Sequence, residues 1–164
     1  FIVMVPRKGA YVADLSIKDI ADVFEIRIAL EGLAAALAAE RITDEELEEM
    51  ERHLVEKAEA IKKQDMAKLI EVDTRFHEAL YGASRNDRLI TIINNLREQI
   101  QRFRTSSLAM PGRMQQSLEE HRNIVEAIES RDAALARQTA QEHIENAESY
   151  MIESLKNEGF LLAD

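Results

Sequence analysis

Along most of this chain apolar residues recur at intervals of three and four, the spacing of one helix face, and the polar residues between them mark where helices start and stop. Ser16 followed by Asp19 approximates a capping box ahead of an apolar run that predicts a helix over 17–40. Thr43 with Glu46 is a cleaner box and opens a second helix to about 63, with most of its charge solvated. Asp65 can cap a third, to about 82. After the break "GASRND", Leu89, Ile93, Leu96, Ile100 and Phe103 fall in register and predict a fourth helix over 87–108. "MPG" at 110–112 ends it by removing a donor and admitting a left-handed residue. A fifth helix is predicted over 113–129 and, after a short "SRD" link, a sixth over 133–157, beyond which "EGFLLAD" frays. Links this short imply an all-α protein, an antiparallel bundle of about six helices.

The start has a different pattern. "FIVMVP" is apolar and β-branched, "RKG" is a basic turn, and "AYVA" resumes strand character. An isolated strand or hairpin is marginal in water. Residues 1–14 are therefore expected to be the tail of another domain, and 15–164 the helical unit. No apolar run approaches the roughly 20 residues needed to span a bilayer. The basic residues follow the apolar start, the reverse of a signal peptide. The expectation is a cytoplasmic protein with no membrane partner.

Composition sharpens this in three places. Five Gly and two Pro in 164 residues, with no Trp, suit a helical bundle. The absence of Cys excludes disulfides and thiol chemistry, so any metal site must draw on His and carboxylates. The formal net charge is −10, from 31 acidic and 21 basic residues. Nucleic-acid binding draws most of its affinity from Lys and Arg against phosphate, so these residues by themselves are poor candidates for gripping DNA or RNA.

The candidate chemistry lies in the histidines. His53, among Glu49, Met50, Glu56 and Lys57, reads as a surface residue without a role. The other three fall on apolar stripes. His77 shares its face with Asp73, Phe76 and Leu80; His121 with Leu118, Ile124, Val125 and Ile128; His143 with Ala136, Ala140 and Ala147. One inward histidine is ordinarily a neutral core residue. Three on three helices, with an inward Asp one turn from one of them, would need four separate sets of partners if buried apart. One divalent transition ion, Zn²⁺ or Ni²⁺, would satisfy Asp73, His77, His121 and His143 together.

Such an ion keeps positive charge and open positions, which suit a small carboxylate. Arg27, between Val23, Phe24, Leu30 and Ala34, and Arg104, in line with Ile93, Arg97 and Ile100, are candidate clamps for it. Each has a plainer reading, an i, i+4 bridge to Glu31 for Arg27 and a snorkelling rim position for Arg104.

"LSIKDIADVFEIRIALEGLAAALAAER", "DTRFHEAL" and "SLEEHRNIVEAIESRDAALARQTAQEHI", with the helix lengths between them, resemble the C-terminal effector-binding (FCD) domain of FadR-type GntR-family transcriptional regulators. The resemblance runs from Leu15 to about Tyr150. In the metal-binding branch of that family the ligands fall on Asp73, His77, His121 and His143, the residues that helical phase selects. It implies a non-enzymatic, ligand-sensing homodimer that reaches DNA through an N-terminal winged helix-turn-helix. "VPRKGAYVA" resembles the end of the wing, with Arg7 and Lys8 as possible wing residues. The rival is a metal-dependent hydrolase on a helical bundle, since three histidines and an open position could activate water. Against it, no second inward carboxylate is apparent as a general base, and neither a Glu-x-x-His pair nor a His-Asp doublet occurs.

Overall fold

The computed structural model describes residues 2–5, 9–12 and 15–159. Strand β1 (Ile2–Val5) pairs antiparallel with β2 (Gly9–Val12), Ile2 opposite Val12 and Val5 opposite Gly9. Arg7 and Lys8, and the end from 160 to 164, lie outside the described residues. The rest is the expected helical bundle: α1 (Ile17–Arg41), α2 (Asp44–Lys62), α3 (Met66–Ala83), α4 (Asp87–Ile100), α5 (Arg104–Ala109), α6 (Arg113–Glu129) and α7 (Ala133–Asn157).

Both capping boxes form. Ser16 accepts from the Asp19 amide and Thr43 from the Glu46 amide, with the acidic side chains accepting in return. Two junctions use one Asp twice. The amides of Asp65 and Asp132 bond back to Ala60 and Ala127 of the preceding helix, and their carboxylates cap the next. The residues before them, Gln64 and Arg131, take positive φ (55° and 56°), as does Arg85 (54°). Glycine usually fills such positions, and its absence here leaves these turns without their usual sequence signal.

The fourth predicted helix is not continuous. α4 stops at Ile100, a single 3₁₀ turn spans Gln101–Phe103, and α5 then begins at Arg104. No Gly or Pro marks the break. The tighter turn keeps both Ile100 and Phe103 buried and sends Arg104 toward α3.

α1 is the spine and packs along α7 and against α3, α4 and α6. Its second half is small and apolar: Ala34, Ala35, Ala38 and Ala39 are fully buried. At Gly32 a Cβ would sit 2.8 Å from Gln141 Cγ, so a larger residue here would displace the Gln141 side chain of α7. Around this half pack Phe76, Leu80, Ile93, Ile124 and Ile128. A second cluster joins the first half of α1, through Ile20 and Phe24, to Ile100, Phe103, Ile144 and Leu155. No described helix is long and apolar enough to cross a membrane.

Candidate metal centre

Helices α3, α6 and α7 bring His77, His121 and His143 together, all buried, with ring nitrogens within 4.8 Å of one another. Phe76 from the apolar core stacks flat on the His121 ring at 3.9 Å between centroids. The Nε2 atoms of His121 and His143 face each other at 3.2 Å. Asp73 reaches the group, with Oδ1 3.7 Å from His121 Nε2 and Oδ2 3.9 Å from His77 Nε2.

The His121–His143 separation fits a divalent ion. Two imidazole nitrogens each about 2.05 Å from one ion lie about 3.3 Å apart at a tetrahedral angle. The outer nitrogens of two rings are held as ligands require. His143 Nδ1 lies 2.6 Å from Glu120 Oε2, and Glu120 is fixed in turn by Arg113 and Asn146. His77 Nδ1 lies 3.1 Å from the Tyr81 hydroxyl, which donates to Glu31.

The third ring differs. His121 Nδ1 lies 3.1 Å from Lys57 Nζ, which also contacts Asp73 Oδ1 at 2.8 Å and Ser117 Oγ at 2.7 Å. Arg104 holds the other Asp73 oxygen and donates to Thr74 Oγ1 at 2.7 Å. Both oxygens of Asp73 are thus engaged by cations.

The charge states follow from these contacts. Burial holds His77 and His121 well below the usual imidazole range. It lowers His143 too, with Glu120 opposing. Burial alone would raise Asp73, but Lys57 and Arg104 outweigh it and keep the carboxyl well below its ordinary value. Burial draws the Lys57 ammonium down, against the pull of Asp73. Burial and then Glu31 push Tyr81 up, so it remains a phenol that can donate.

A cavity of about 70 Å³ opens beside the centre. His77, Asp73 and His143 form part of its wall, Phe24, Ile100, Ile144 and Met151 an apolar part, and Arg27, Arg97, Arg104 and Arg113 a cationic part. Arg27 makes the i, i+4 bridge weighed from the sequence, Nε to Glu31 Oε1 at 2.7 Å, while also lining the cavity. Arg104 does the same with Asp73 as partner. Among the described residues Arg97 has no carboxylate within ion-pair distance; its guanidinium lies 5.4 Å over the Tyr81 ring.

Three expectations need correcting. His53 is no surface residue: it is 5 % exposed, and its Nδ1 has no partner among the described residues. Lys57, one of the neighbours that made His53 read as a surface residue, is 1 % exposed. The missing second inward carboxylate is in fact two, Glu31 and Glu120. Each is bound up in the pairs just described, which leaves neither placed as a free base. A signal for His53 and Lys57 was present, because Met50, His53, Lys57, Ala60 and Ile61 form one helical stripe on α2.

Fold and buried centre together define an all-helical FCD domain. The model of the FCD domain family matches residues 22–146, and the chain belongs to that family. The curated relatives it matches include proteins named HTH-type transcriptional regulators. The chain is 30% identical over 138 residues to the HTH-type transcriptional regulator YdhC of Bacillus subtilis (strain 168), covering 84% of this chain and 62% of YdhC. It thus spans about three-fifths of the length of the curated relatives it matches. E. coli McbR/YncC shares the fold, with a TM-score of 0.83 at 22% identity over 93% of this chain and 77% of that one. The metal-free FCD domain of TM0439, a transcriptional regulator by its description, aligns with a TM-score of 0.72 at 25% identity. That match covers 88% of this chain and 99% of the other.

Proposed function

We propose that this chain is the effector-sensing part of a GntR-family transcriptional regulator. In this reading Asp73, His77, His121 and His143 hold a divalent transition metal, Zn²⁺ or Ni²⁺, and the adjoining cavity takes a small carboxylate. The observation that carries it is the convergence of three buried imidazoles beside a cavity walled by four arginines. Three carboxylates (Asp73, Glu31 and Glu120) stand against five cations (Lys57, Arg27, Arg97, Arg104 and Arg113), so the centre attracts an anion. The apolar wall of Phe24, Ile100, Ile144 and Met151 suits the carbon chain behind a carboxylate.

The metal would supply a Lewis-acidic docking point. The chain's own residues do the rest. Arg104 and Arg27 border the cavity as clamps while pairing with Asp73 and Glu31, and Arg97 offers a guanidinium with no carboxylate partner among the described residues. Glu31 and Arg27 lie on α1, so an anion that draws Arg27 away from Glu31 acts directly on the helix that follows the β1–β2 hairpin. Only a ligand that binds two arrangements unequally can shift them, and such couplings run to about 1–3 kcal/mol. The regulator would act as a homodimer on two DNA half-sites, through a winged helix-turn-helix domain whose wing 1–14 resembles.

The names of the relatives and the engaged state of Glu31 and Glu120 favour a sensor over a hydrolase. Calorimetry of the metal-loaded and metal-stripped chain against di- and hydroxycarboxylates tests the reading. Binding by at least one acid that weakens on stripping the metal and on Arg97→Ala is expected. Failure of the whole panel in both forms would contradict the carboxylate cavity.

A further inference from the structure

Lys57 is a cation at the centre that metal ligation does not call for, and it touches two of the ligands at once. It is 1 % exposed, on α2, and reaches across to α3 and α6. An ammonium can only donate. Where it meets His121 at 3.1 Å, Nδ1 must accept, which puts the ring hydrogen on Nε2. That Nε2–H points at His143 Nε2, 3.2 Å away, and His143 in turn donates from Nδ1 to Glu120. The result is a closed chain of hydrogen bonds, Lys57 to His121 to His143 to Glu120. It uses the two nitrogens that face the centre, and Lys57 also occupies Asp73 Oδ1.

We propose that Lys57 is a resident cation of the histidine centre, closing it into a hydrogen-bonded state that competes with a divalent metal for Asp73, His121 and His143. This rests on the metal reading of the same residues. Metal ligation by His121 Nε2 needs the hydrogen on Nδ1, where Lys57 now donates, so the lysine and the metal exclude one another's hydrogen bonds. The consequence is a metal held weakly enough to exchange, so that metal occupancy itself becomes part of what the domain senses.

Zn²⁺ titration of the 164-residue chain against a chromophoric chelator tests this, with Lys57→Met and Lys57→Gln alongside. Met matches the length and flexibility of the lysine stem without its charge, and Gln keeps a neutral donor. Affinity is expected to rise about tenfold or more in Lys57→Met, the scale on which outer partners of metal ligands act, and by less in Lys57→Gln. Nitrogen chemical shifts of metal-free wild type should show His121 with its hydrogen on Nε2. Zn²⁺ affinity in both variants within twofold of wild type, or weaker, overturns the role of Lys57 while leaving the metal centre standing. No binding of Zn²⁺ or Ni²⁺ by wild type or either variant overturns the metal centre and this inference with it. Should Lys57→Met not fold, Lys57→Gln decides.

Discussion

The second half of α1 and the Arg27–Glu31 stretch just before it face interiors of opposite chemistry. From Ala34 onward the helix buries alanines against Phe76, Leu80, Ile124 and Ile128, and the contacts among these side chains are interchangeable dispersion. One to two turns earlier, Arg27 and Glu31 are just as deeply buried, and each depends on a specific partner. In the first region a lost methyl group leaves a small void. In the second a lost side chain strands another charge. The same burial therefore gives a tolerant region and an intolerant one.

The largest effect should come from stranding charge. Asp73→Ala leaves Lys57 and Arg104 facing each other without their shared carboxylate, and urea unfolding of the metal-free chain should show a loss of about 3–5 kcal/mol. A loss below about 1 kcal/mol would mean that the polar region is as tolerant as the apolar one.

Acid should also act, and chiefly through the polar region. The folded-state values of His77, His121 and His143 are depressed, so the unfolded chain binds more protons once pH falls below about 6.5. Stability of the metal-free chain is full above that value and declines below it, by up to about 1.4 kcal/mol per pH unit for each histidine. Asp73 adds a further loss only below its unfolded value near 3.8. Unfolding free energies flat between pH 7 and 5 would contradict this ordering. Smallest is Ile124→Val, a buried methylene in the apolar region, which should cost about 0.5–1.5 kcal/mol and by the same amount at pH 7 and pH 5.

The apolar region was the legible one. Helical period and capping residues placed all the long helices, because the interactions that set them lie within one turn of sequence. Ser16 with Asp19 and Thr43 with Glu46 form as read. The inward phases of Asp73, His77, His121 and His143 were legible on the same basis, since each shares a stripe with apolar neighbours. What the sequence concealed is pairing across helices. Lys57 meets Asp73 over 16 residues and Ser117 over 60, and on α2 nothing local distinguishes it from its solvated neighbours except its place on the Met50–Ile61 stripe. The break at Ile100 was hidden for a related reason: it is set by tertiary packing and by Arg104 reaching Thr74 and Asp73, not by a helix-breaking residue. Glu31 and Glu120 were missed because charge alone reads as surface.

Metal content decides whether the polar region holds the divalent ion proposed for it. The 164-residue chain, loaded with Zn²⁺ or Ni²⁺ and passed through gel filtration, should carry about one ion per chain by elemental analysis, and His121→Ala should carry none. A wild-type chain that emerges free of both metals, with His121→Ala equally stable, would contradict the account.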